Sequence, residues 1–173
     1  MDASTKSEPT LKKNATTVER KSDREVVVTR TINGPARIVF EAFTKPELFK
    51  KWWVPKSFGM NLLSCELDVR VGGGYRLVFA NPTGGEPMAF FGKYLEVKPP
   101  SRLVWSNDEG GETGAVTTAT FEEKAGKTLV VLHDLYPSKE ALEAGIGNTD
   151  GMSETLDQLD ELVVTLGASS GRS

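Results

Sequence analysis

His133 is the only histidine of this chain, so any histidine-dependent chemistry would have to run through it. A histidine metal cluster cannot be built, and a Ser-His-Asp arrangement would have to use this one residue. It alternates with Leu129 and Val131, which places it on the inner face of a sheet near the end of a strand. Asp134 then points the other way and cannot orient it. The simplest reading is a cavity-wall histidine bonded to a carbonyl or a threonine hydroxyl, with general acid–base work as the alternative. Cys65 is the single cysteine, which excludes an internal disulfide and supplies no metal cluster. By alternation with Leu63 and Leu67 it faces inward, where an uncharged thiol packs as a small hydrophobe. Gly72-Gly73-Gly74 lies between two strand patterns, and no Gly-Lys-Ser/Thr follows, so it reads as a turn and not a phosphate loop. The pairs Glu122-Glu123 and Asp108-Glu109 flank turns and read as solvated, with nothing to place them in one cleft. No catalytic set emerges, and neither a metal nor a cofactor is expected.

Aromatic residues make the stronger pattern. Trp52 and Trp53 are adjacent on a helical stretch, so they point about 100° apart, one inward and one toward a cavity mouth. Tyr75, Leu77, Phe79, Trp105 and Phe121 fall on inward positions of alternating strands. These are wall or core residues of a domain with an apolar interior.

The elements that must carry them follow from the rest of the chain. Its 173 residues and 38% hydrophobic content suit one domain. A net charge of −3 without a basic stripe argues against nucleic acid as a partner. No run reaches the ~18 apolar residues a membrane span needs, and residues 1–23 lack the apolar core of a secretory signal. A cytoplasmic protein is expected. Residues 1–23 and 167–173 read as disordered tails, around a domain spanning 24–166.

Residues 24–32 are β-branched and read as a first strand. Asn33-Gly34-Pro35 turns into a helix carrying Ile38, Val39, Ala42 and Phe43 at helical spacing. Pro46 opens a second short helix, which Pro55 ends. Alternating stretches then give about seven strands in all, most of them consecutive and antiparallel, with a bulge expected at Gly92. Ser138 caps a short helix over 139–144. A last helix starts near Thr149 or Asp150, with Met152, Leu156, Leu159, Val163 and Leu166 in one stripe and Asp157 and Asp160 largely off it.

This order resembles the helix-grip fold of the START-like, or SRPBCC, superfamily, an α+β domain whose curved sheet wraps a long C-terminal helix. The motifs look like those of its subgroup related to the activator of heat shock protein ninety ATPase. The stretches that carry it are residues 36–48, Trp52-Trp53-Val54-Pro55, Asp68 through Gly72-Gly73-Gly74-Tyr75-Arg76, Gly92 through Pro99-Pro100 to Trp105, and Gly151-Met152-Ser153-Glu154 onward to Leu159. Met152 stands where the subgroup usually has tryptophan, and the smaller thioether implies a wider cavity. The subgroup has no shared catalytic set to carry over. The resemblance implies non-catalytic binding of an apolar or aromatic small molecule, lipid-like or polyketide-like, between sheet and helix. Trp53, Tyr75, Leu77, Phe79, Trp105, His133, Met152 and Leu156 are the expected lining, in a pocket of several hundred Å³. Two alternatives stand beside it. One is a co-chaperone-like module whose partner is a chaperone or other protein, marked by Val130 and Leu132 exposed on the outer face. The other is a cyclase or aromatase of polyketide-like substrates using His133.

Overall fold

The structure, a computed structural model, describes residues 16–54, 62–81, 84–108, 114–145 and 152–170. The expected caps at Thr149 and Asp150, the stop at Pro55, Glu109, and the outer parts of both tails lie outside these residues. The strands are β1 (Thr17–Arg20), β2 (Glu25–Ile32), β3 (Leu62–Leu67), β4 (Gly74–Phe79), β5 (Met88–Lys98), β6 (Arg102–Ser106), β7 (Val116–Lys124) and β8 (Lys127–Leu135). Helices α1 (Ala36–Thr44) and α2 (Pro46–Phe49) follow β2, α3 (Lys139–Gly145) follows β8, and α4 (Met152–Ser170) ends the described chain. One eight-stranded antiparallel sheet runs in the order β1-β2-β8-β7-β6-β5-β4-β3. The α+β helix-grip architecture expected from the sequence is therefore present, with one strand more than the seven or so counted.

The extra strand is β1, inside the stretch expected to be a tail. Thr17 to Arg20 pair with Thr29 to Val26. All four are exposed and polar but for Val18, so β1 buries too little apolar surface for its composition to announce it. Backbone pairing to the edge of β2 holds it instead.

Two helices and the sheet enclose the core. On β2 the inward residues are Val26, Val28, Arg30 and Ile32, opposite Asp134, Leu132, Val130 and Thr128 of β8. Above them α4 sets Leu156, Leu159 and Val163 and α1 sets Ile38, Val39, Ala42 and Phe43, all buried. Phe121 meets Phe40 and Phe43 edge to face, at centroid distances of 5.7 and 5.0 Å. Trp52 is the inward member of the tryptophan pair: it is fully buried, and its indole N–H donates to the Ala42 carbonyl at 2.9 Å. Glu123 is not merely solvated, because its carboxylate accepts the Ala36 N–H at 2.9 Å and so caps α1 from β7.

The phase of β8 is the reverse of the expected one. Val130 and Leu132 are buried in the core, while Leu129 and Leu135 are exposed and His133 is partly exposed. His133 therefore lies on the outer face, paired with Val27 and Thr118. Residues 129–132 are four apolar side chains in a row, so alternation within the strand carries no phase. The expected bulge also moves. Gly92 stays in register opposite Tyr75, and the irregularity falls between Tyr94 and Glu96. Glycine is needed at 92 for close approach: a Cβ there would lie 1.8 Å from the Ser106 carbonyl oxygen.

A buried ion cluster holds α4 to the sheet. The Arg30 guanidinium, 1% exposed, donates to Asp157 at 2.6 Å and to Asp160 at 3.0 Å, and also to the Thr16 hydroxyl at 3.0 Å. Asp160 further accepts the Asn33 backbone N–H at 2.9 Å and the Asn33 amide. Next to it Gly34 lets the helix close in, since a Cβ would lie 2.2 Å from Val163 Cγ1.

Candidate functional site

Register places six residues in one row across the sheet: Arg20 at the edge on β1, then Val26, Asp134, Thr117, Trp105 and Tyr94 on β2, β8, β7, β6 and β5. The next row along, Val28, Leu132, Ala119 and Leu103, is apolar and buried throughout. Beyond it lie Arg30, Val130 and Phe121, also buried. The inner face is thus sealed toward the Arg30 end. At the other end Asp134 and Trp105 retain partial access, as do Tyr75, Tyr136 and Met152, which pack against the core from its margin.

Polar groups join this row into a chain. The Thr117 hydroxyl donates to Asp134 Oδ1 at 2.6 Å. The Asn107 amide donates to the Ala115 carbonyl at 2.8 Å and reaches Thr117 Oγ1 at 3.4 Å. The Tyr75 hydroxyl lies 2.9 Å from both Asn107 Oδ1 and the Ser106 carbonyl. These bonds tie the β4 aromatic to the β8 carboxylate through β6 and β7. Burial pushes the Asp134 carboxyl above its ordinary value, against the opposing pull of the Thr117 hydroxyl and of His133 across the sheet. Burial likewise raises the Tyr94 and Tyr136 phenols, so both stay neutral.

The raised carboxyl has a consequence for stability. Its folded value lies above the unfolded one, so within that interval the folded chain binds more protons and stability falls as pH rises. Asp134→Asn removes the charge and keeps an oxygen for Thr117. The variant is expected to melt above the parent at pH 7, with the gap closing as the solution is acidified toward pH 3. A variant that melts lower at pH 7, or a gap that does not change with pH, would show that the carboxylate is stabilising as placed.

The eight residues expected to line one cavity divide into groups. Leu77, Phe79 and Leu156 are buried core; the Phe79 ring contacts Phe90 at 5.3 Å. Trp53 is partly buried and stacks on Phe49 at 4.8 Å. Tyr75, Trp105 and Met152 sit at the partly accessible margin. His133 is on the far side of the sheet, its Nε2 3.0 Å from Glu25 Oε2, a contact that holds the Glu25 carboxyl below its usual range. Two cavities are described, and neither touches Met152 or His133. One, of about 600 Å³, is lined by Glu66, Asp68, Gly74, Tyr75, Arg76 and Phe91, with Leu67, and runs along the outer face at the β3–β4–β5 end. The other, of about 290 Å³, lies between α2 and β3 beside Lys50 and Cys65. Burial there pushes the Cys65 thiol up to about 11, so it remains protonated. Leu156, Leu159 and Val163 occupy the space under α4 where the larger pocket was expected.

Sequence reasoning missed Asp134, Thr117, Asn107 and Arg30. The available signal was the lone acid in an otherwise apolar strand end, but it is usable only once the phase of β8 is known. Among the described residues no group of three or more His, Cys, Asp or Glu could hold a metal ion, and no helix is long and apolar enough to cross a membrane.

The comparisons with known proteins agree with this architecture. A family model described as activator of Hsp90 ATPase homolog 1-like protein matches residues 33–164. The chain belongs to this family. The solved structures similar to this family member include a protein of Nitrosomonas europaea, 24% identical, covering 86% of this chain and 99% of that one with a TM-score of 0.75. A protein of Staphylococcus epidermidis is 29% identical over 86% of this chain and 94% of its own, at a TM-score of 0.71. An AHSA1-like protein of Aeromonas hydrophila, 20% identical, covers 82% and 94% at 0.61. No curated protein matches. Membership of the activator of Hsp90 ATPase homolog 1-like family supports a ligand-binding or interaction module as the general role.

Proposed function

We propose that the domain binds an apolar, aromatic small molecule over the row that runs from Tyr94 and Trp105 to Asp134, entering from the open margin near Tyr75, Tyr136 and Met152. The observation that carries this is the gradient along the inner face: closed apolar packing toward Arg30, and partly accessible rings with a hydrogen-bonded polar chain at the other end. Ligand sites have this mixture of apolar wall and few fixed polar groups. Burying ten carbons gives ~8 kcal/mol gross at ~0.8 kcal/mol each. Ordering costs of several kcal/mol leave about 4–5 kcal/mol, an affinity on the order of hundreds of micromolar.

N-phenyl-1-naphthylamine, an apolar dye that brightens when enclosed, tests the reading. Saturable binding to the full chain at an affinity on the order of hundreds of micromolar is expected. Trp105→Ala should weaken it about two- to thirteenfold, as the loss of one aromatic contact worth ~0.5–1.5 kcal/mol implies. Absence of saturable binding, or an affinity indifferent to Trp105→Ala, would remove the inner row as the site.

A second reading, an interaction module of the kind the family's description names, draws on the opposite face. There Phe91, Leu95, Leu129 and Leu135 are exposed apolar side chains, and Phe91 borders the 600 Å³ groove. Exposed apolar groups of this kind suit a protein surface. Leu129 and Leu135 take the role that alternation assigned to Val130 and Leu132.

A further inference from the structure

The charge inventory of the inner face discriminates among aromatic ligands. Its cations among the described strand residues are Arg30, already committed to Asp157 and Asp160, and Arg20 at the β1 edge, opposite Val26 and paired with Asp23 and Glu143. Glu123 caps α1. That leaves Asp134, whose hydrogen-bond donor among the described residues is the uncharged Thr117 hydroxyl, on Oδ1. Asp134 has no ion pair among them, and its inner-row neighbours are Val26 and Thr117, with Trp105 one strand further on. Tyr136, which packs at the margin of the core, shares its side of the strand two residues on. A partly buried carboxylate beside aromatic rings and without a cation is a receptor for a positive group: it gains a charge-assisted hydrogen bond, and ring faces add attraction to the same charge.

We propose, resting on the reading above, that the ligand is an aromatic amine bound in its protonated form, and that Asp134 selects it over neutral and anionic analogues. An ammonium would supply the countercharge this carboxylate lacks. A carboxylate ligand would bring a second negative charge to a row whose cation, Arg20 at the β1 edge, is already paired with Asp23 and Glu143. A neutral alcohol could donate one hydrogen bond but could not neutralise the charge.

Three molecules with one skeleton test this by calorimetry on the full chain at pH 7: 2-(aminomethyl)naphthalene, 2-naphthylmethanol and 2-naphthoate. The amine is expected to bind at least about tenfold tighter than the alcohol, and the acid more weakly than the alcohol. Asp134→Asn should erase the amine's advantage over the alcohol. Thr117→Val, which keeps the carboxylate and removes its hydroxyl donor, should retain the amine preference. If the alcohol binds and the amine binds no better, or the preference survives Asp134→Asn or is lost in Thr117→Val, selection by Asp134 is overturned while the site itself stands. If none of the three binds, the inner-row site fails and the selection with it.

Discussion

Replacing Arg30 by alanine is expected to cost about 3–5 kcal/mol of folding stability, the range for removing one partner of a buried ion pair. The side chain is 1% exposed and supplies the countercharge to Asp157 and Asp160. Without it the Asp160 carboxylate, 6% exposed, keeps, among the described residues, only the Asn33 donors, and a cavity opens between β2 and α4. Arg30→Met combined with Asp160→Asn should recover part of that loss, because it removes a buried charge together with the guanidinium and fills the space. Urea denaturation of the parent, the single variants and the double variant measures both effects. An Arg30→Ala chain within 1 kcal/mol of the parent would mean that the cluster does not fasten the helix.

Leu159→Ala should be the next most damaging change, at about 2–5 kcal/mol. Leu159 is fully buried at mid-stripe on α4, between Leu156 and Val163, which are buried as completely. Truncation removes apolar contacts from both α1 and the sheet and leaves a void that the packed neighbours cannot collapse to fill. For a domain of this size the loss corresponds to a fall in melting temperature of roughly 4–20 °C. A variant that melts with the parent would contradict the packing of α4 as described.

Most of the fold was legible because its elements have clear periods. The α4 stripe, the α1 stripe, the proline that opens α2 and the Ser138 cap, whose hydroxyl accepts the Ala141 N–H at 3.0 Å, all read directly from residue order. The failures have physical causes of the same kind. In β8 the run Leu129, Val130, Val131, Leu132 is apolar on both faces, so only a partner strand fixes which face is inner. That partner is β2, where alternation of Val26, Val28 and Ile32 is interrupted by Arg30. An arginine at an inward position reads as a reason to assign the other face unless its carboxylates are known.

Those carboxylates were hidden as well. Asp160 stands four residues after Leu156 and three before Val163, at the spacing of the buried stripe, yet as an acid it was counted with the solvated side of α4. The site suffered most from the phase error. With His133 taken as inner and Asp134 as outer, the polar group of the inner row was assigned to the wrong residue, and the chain of hydrogen bonds through Thr117 and Asn107 had no end point. Thr117 itself carries no signal in sequence, since threonine is enriched in strands whatever its partners.

The cluster around Arg30 also joins residues 127 and 130 positions apart along the chain, and β2 finds its inner neighbour in β8. Strands β3 through β8 can pair as successive hairpins while synthesis proceeds, but the inner core cannot close until α4 has emerged. Loop closure over such separations is slow, and contacts of this range put folding on the millisecond-to-second scale. Until then β2 and β8, though they can already pair, leave uncovered the apolar residues meant for α4. A growing chain halted before α4 would therefore be a form of this protein exposed to aggregation, and the emergence of α4 is what ends that exposure.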